Sequence, residues 1–154
     1  MLFVTIPAKD LAKYSYMSSR LKEMLYNLKN ARKTLEGIAN TSFDKAYAKC
    51  IYLFASESLQ CEKEILSQID SLDGVPHYDD KAEQNEQTVT TEKISTMDSL
   101  CNYCEKEYIE KYKQLLRDNH LGNSLKSLIQ NHLLLFISSL TQLRLFTDVN
   151  TSVN

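Results

Sequence analysis

Two cysteines three residues apart, Cys101 and Cys104 in SLCNYCEKEY, make the most chemically suggestive spacing in this chain. A C-x-x-C pair can act as a redox couple or supply half of a four-thiolate zinc site, and each use sets a condition on its surroundings. A thioredoxin-like couple needs a strand-to-helix junction to lower the thiol pKa. A zinc site needs all four thiolates at one level, yet Cys50 and Cys61 are about three helical turns apart. Residues three and four apart are neighbours on a helix, so Cys101 and Cys104 share a face with Met97, Tyr108 and Leu115. All four thiols are therefore expected in the core, where cysteine behaves as a small hydrophobe. Other chemistry finds less footing. The acidic stretch DDKAEQNEQ lacks the glycine a calcium loop needs at its turn. There is no glycine-rich phosphate loop, and no Ser-His-Asp order is readable.

The elements that would carry these residues are set by sparse punctuation. Only three glycines and two prolines occur among 154 residues, and they fall where helices should stop. Four helices are predicted, at about 8–39, 43–72, 91–118 and 124–146, in a single domain covering 1–154. The first carries Tyr14, Met17, Leu21, Leu25, Leu28, Leu35 and Ile38 at helical spacing. The second carries Tyr47, Cys50, Phe54, Glu57, Cys61, Ile65 and Leu72, with Ser42 as its expected N-cap and Asp44 in its positive first turn. The fourth presents Leu125, Leu128, Ile129, His132, Phe136, Leu140 and Leu143. The first residues, LFVTIP, suit a short extended arm because Pro7 disfavours helix before it, and the last eight read as frayed. Residues 73–91 show no apolar period and form a linker, longer than compact domains ordinarily use. About 19 extended residues span more than the roughly 42 Å of a 28-residue helix. The expected architecture is thus an all-α four-helix bundle, up-down-down-up, with a long crossover between the second and third helices.

Composition narrows the function classes. With 43% hydrophobic and 25% charged residues and a net charge of −2, the chain reads as a globular protein without the basic excess that nucleic-acid binding uses. The nine tyrosines suit amphipathic helix boundaries, and without a basic groove they do not signal base stacking. The longest apolar run, LLLFI, is far short of the roughly 20 residues of a membrane span. The start carries no basic segment or small-residue cleavage site, so a cytoplasmic address with reduced thiols is expected.

Two stretches carry a family resemblance. AYAKCIYLFASESLQCEKEILSQIDSLDGVP resembles the second helix of a small uncharacterised bacterial family of ferritin-like bundles, a domain of unknown function. CEKEYIEKYKQLLRDNHLGNSLKSLIQNHLLLFISSLTQLR is similar to its last hairpin. The resemblance covers roughly residues 20–146 and implies a ferritin-like four-helix domain with no established activity. The wider superfamily is known for di-iron sites, which take an inward Glu from two helices and Glu-x-x-His from the other two. Here the second helix has Glu57 but Gln60 in the histidine place, and the fourth has His132 but Ile129 in the glutamate place. Glu23 and Glu36 lie off the centre of the first helix's stripe, and Glu105 and Glu107 flank that of the third. At most three of six ligands remain, so no stoichiometric iron is expected.

Two readings follow. The first is a non-catalytic bundle, with no cofactor, acting through self-association or partner binding. On the fourth helix, at about 100° per residue from Leu125, Ile137, Leu134 and Leu145 fall at about 120°, 180° and 200°, away from the core stripe. This strip predicts a homodimer contact, unless the amino-terminal arm folds over it. The alternative is a metal-binding or redox protein, holding iron or another divalent cation by a reduced set: Glu57, Glu107 and His132.

Overall fold

The four apolar patterns fold as four helices in a computed structural model, which describes the backbone of residues 8–74, 94 and 96–152 and the side chains of 12–74, 94 and 96–146. The expected arm at 2–7 and nearly all of the linker, 75–93, lie outside the described residues. Helix α1 spans Ala8–Thr41, α2 spans Lys45–Asp73 and α4 spans Asn123–Ser152. Helix α3, residues 97–116, is built of α-helical Met97–Cys104, a π-helical turn Glu105–Glu110 and α-helical Lys111–Leu116. The chain is all-α, with no strand among the described residues. None of the described helices is long and apolar enough to cross a membrane.

The boundaries follow from local chemistry, and three differ from expectation. Asp44, rather than Ser42, caps α2: its Oδ1 accepts from the amides of Ala46 and Tyr47 at 3.0 and 3.1 Å. An anionic acceptor at a positive helix start makes a stronger bond than a hydroxyl does. Gly74, with φ of 75°, closes α2 by donating its amide to the Asp70 carbonyl at 2.8 Å, a left-handed cap that side chains other than glycine resist. Helix α3 starts at Met97 instead of Thr91, because Thr96 and Ser99 form a capping box. Helix α4 continues through residues 147–152, where fraying is expected; FTDVNTS holds neither the glycine nor the proline that would stop it.

Packing sets which helix ends meet. The turn at 42–44 folds α2 back along α1. Across the molecule, Asp118, just after α3, accepts from Tyr16 Oη at 2.7 Å and from Arg20 Nε at 3.2 Å, so the start of α1 lies against the end of α3. Between α2 and α4, Tyr47 stacks on Phe146 with centroids 5.6 Å apart, and Phe54 meets Phe136 at 5.5 Å. The core contains Leu21, Leu28 and Leu35 of α1, Ile51 and Ile65 of α2, Tyr108 and Tyr112 of α3, and Ile129 and Phe136 of α4, all fully buried. Burying a large aliphatic or aromatic side chain contributes about 1.5–3 kcal/mol. Tyr14, expected on the inner stripe, is exposed at 41%. Cys61, Cys101 and Cys104 are buried as expected, whereas Cys50 is half-buried.

Candidate functional site

The middle of the bundle is filled by rings. Phe54, Tyr108 and Phe136 pack mutually with centroids 4.7–5.5 Å apart, and Tyr112 lies 5.4 Å from Phe136. Beside this cluster a polar chain runs toward α1. The Tyr108 hydroxyl donates to Ser58 Oγ at 2.9 Å, and Ser58 donates to Glu62 at 3.3 Å. Arg32 clasps Glu62 through Nε at 2.7 Å and Nη2 at 3.1 Å, and reaches Glu36 at 2.9 Å. Burial pushes the Glu62 carboxyl above its ordinary range, with Arg32 and Ser58 pulling it back. Burial also works against the Arg32 charge, but hydrogen bonds to Glu62 and Glu36 outweigh it and the guanidinium keeps its proton. This network pairs a buried carboxylate with a guanidinium and a hydroxyl, so it reads as structural.

A second polar group lies between α2, α3 and α4. Cys61 and Glu64, three apart on α2, stand on the side facing α4, where His132 is buried. One ligand atom from each of Cys61, Glu64 and His132 lies within 4.8 Å of the others, the only such trio of His, Cys, Asp or Glu among the described residues. His132 Nε2 is 3.2 Å from Glu64 Oε2 and its Nδ1 is 3.0 Å from the Tyr112 hydroxyl. Tyr112 also bonds to the Cys61 thiol. Burial lowers the His132 pKa, against the pull of Glu64, and favours the neutral ring. Burial pushes the Cys61 thiol up to about 12, reinforced by the Glu64 carboxylate. Such a thiol is protonated near neutrality and is no nucleophile on its own.

Of the expected trio Glu57, Glu107 and His132, only His132 enters this group. Glu57 is hydrogen-bonded to Ser139, and Glu107 pairs with Lys111 at 3.3 Å along its own helix. Ser139 and His132 are separated by about 10 Å of helix, so Glu57 has the right face but lies two turns from the histidine. Glu64, seven residues further on, occupies the place assigned to Glu57. Three participants were missed by sequence reasoning. Cys61 stood on the inner stripe and was read only as a hydrophobe. Glu64 follows it at helical spacing, a signal that was present. Tyr112 lies four residues after Tyr108 and three before Leu115, so its inward position was signalled by the same spacing; its meeting with His132 was not.

Cys101 and Cys104 lie in the packed interior, and burial raises the Cys104 thiol pKa well above normal. The strip on α4 is exposed in the single chain: Leu134 at 64%, Leu145 at 57% and Ile137 at 40%, with Leu135 beside them at 37%. No protein-family model, curated protein or solved structure matches this chain.

Proposed function

We propose that this protein is a non-catalytic, ferritin-like helical bundle that works by self-association through the outer face of α4. The observation that carries the reading is the composition of that face. Between Lys126 and Arg144, α4 has no Asp, Glu, Lys or Arg, and its exposed surface presents Leu134, Leu135 and Ile137. An uncharged apolar strip can meet its own copy about a two-fold axis without like charges opposing one another, and a homodimer uses one patch twice. The ferritin-like part of the proposal rests on the meeting of helix ends. Tyr16 with Asp118 at the ends of α1 and α3, and Tyr47 with Phe146 and Glu64 with His132 along α2 and α4, support an up-down-down-up order.

Light scattering at micromolar concentration tests the association. The expected result is a dimer for the wild type and a folded monomer for the double variant Leu134→Lys, Leu145→Lys. A wild-type protein that runs as a monomer overturns the reading.

A further inference from the structure

We propose that Cys61, Glu64 and His132 form a binding site for one zinc-like divalent transition-metal ion between α2 and α4. The inference goes beyond self-association and does not rest on it. The donor set comes first: a thiolate sulfur, an imidazole nitrogen and a carboxylate oxygen suit zinc or cobalt, whereas calcium and magnesium take oxygen alone. Three protein ligands leave the fourth position of a tetrahedron to water.

Geometry comes second. The edge between nitrogen and oxygen in a zinc tetrahedron is about 3.3 Å, given metal–ligand distances of about 2.0–2.2 Å. His132 Nε2 and Glu64 Oε2 already stand 3.2 Å apart, with one ligand atom of Cys61 in the same group within 4.8 Å. Cys61 and His132 are at 0% and 3% exposure, while the Glu64 side chain is 41% exposed and gives the ion a way in from solvent.

The surroundings come third. Metal-bound histidines are ordinarily held by a hydrogen bond to the second ring nitrogen. Tyr112 supplies it: with the proton on Nδ1, His132 donates to the tyrosine oxygen at 3.0 Å and leaves Nε2 bare for the cation. The same hydroxyl bonds to Cys61, and donation to its sulfur stabilises a thiolate. Binding then replaces one proton, the one on the Cys61 thiol, which leaves to solvent as the metal–sulfur bond forms.

The test is titration of the chelator-stripped full chain with cobalt(II), followed by absorption. The expected result is one equivalent per chain, with a thiolate-to-cobalt band in the near ultraviolet that zinc abolishes by displacement. Cys61→Ser removes the band and Cys104→Ser, at a buried cysteine outside the trio, keeps it. Glu64→Gln, which keeps an amide oxygen for the His132 ring but loses the charge, weakens cobalt binding in a metal-free protein that still folds. Tyr112→Phe weakens binding by about 10–100-fold, as loss of a supporting hydrogen bond does. Folded wild type that shows no thiolate band at saturating cobalt overturns the proposal. So does a band that survives Cys61→Ser.

Discussion

The contact between α2 and α4 changes character within two or three helical turns. At Phe54 and Phe136 it is aromatic, joined by Tyr108 of α3, and its stability comes from burial and ring packing. At Cys61, Glu64 and His132 it is polar, and its stability depends on each atom keeping a partner. Tyr112 touches both regions, 5.4 Å from the Phe136 ring and 5.7 Å from the His132 ring. The lesson is that one inner stripe can serve two purposes. An aromatic region tolerates dryness and fixes the shape of the bundle. A polar region is costly to bury, and it is the part that can exchange a proton or accept a cation.

The largest loss of stability is expected at the aromatic end. Phe136, fully buried against three rings, should cost about 3–5 kcal/mol when replaced by alanine. Urea denaturation followed by circular dichroism reads this loss, and a cost below that of an ordinary surface change contradicts the packing described.

Ser58 comes next because it links Tyr108 to Glu62. Ser58→Ala leaves both without their shared partner and should destabilise by about 1–3 kcal/mol. The double variant Ser58→Ala, Tyr108→Phe should recover part of the loss, since it removes an orphaned hydroxyl with its former acceptor.

A third, smaller effect sharpens the polar end. His132 has a folded pKa below its ordinary value of about 6.5. The groups around it are Glu64 and Cys61 of α2 and Tyr112 of α3. Below that ordinary value the unfolded chain takes up a proton that the buried ring resists, so stability present at neutral pH is lost as pH falls. Unfolding free energies at pH 7 and pH 5 should converge in His132→Gln relative to wild type. An unchanged slope removes His132 from the pH response.

The smallest expected change in fold stability lies on the outer face of the same helix. Leu134→Lys should alter the unfolding free energy of a single chain by no more than about 0.5 kcal/mol, because the side chain is already 64% exposed. Measured at concentrations where the protein is a monomer, a loss above 2 kcal/mol would mean that Leu134 is covered within its own chain.

Much of this architecture was legible in the residues alone. Helical periodicity and rare glycines located four helices, and the inner stripes correctly held Leu21, Leu28, Phe54, Cys61, Ile129, Phe136 and Leu140. The outward position of Leu134, Ile137 and Leu145 was equally plain. These are properties of one helix at a time, fixed by its 3.6-residue period. Caps were less legible: Ser42 and Asp44 both had the chemistry to cap α2, and the backbone chose Asp44. Which level of one helix meets which level of another is settled by packing between helices. Glu57 and Glu64 lie two turns apart on one face of α2, and periodicity cannot rank them as partners of His132; the sliding of α4 along α2 places Glu64 there. Tyr112 likewise follows Tyr108 on the inner stripe of α3, and only the level at which α3 meets α4 brings it to His132. Such register is set by the packing of rings and side chains from three helices at once, a sum of many small contacts that no single segment encodes.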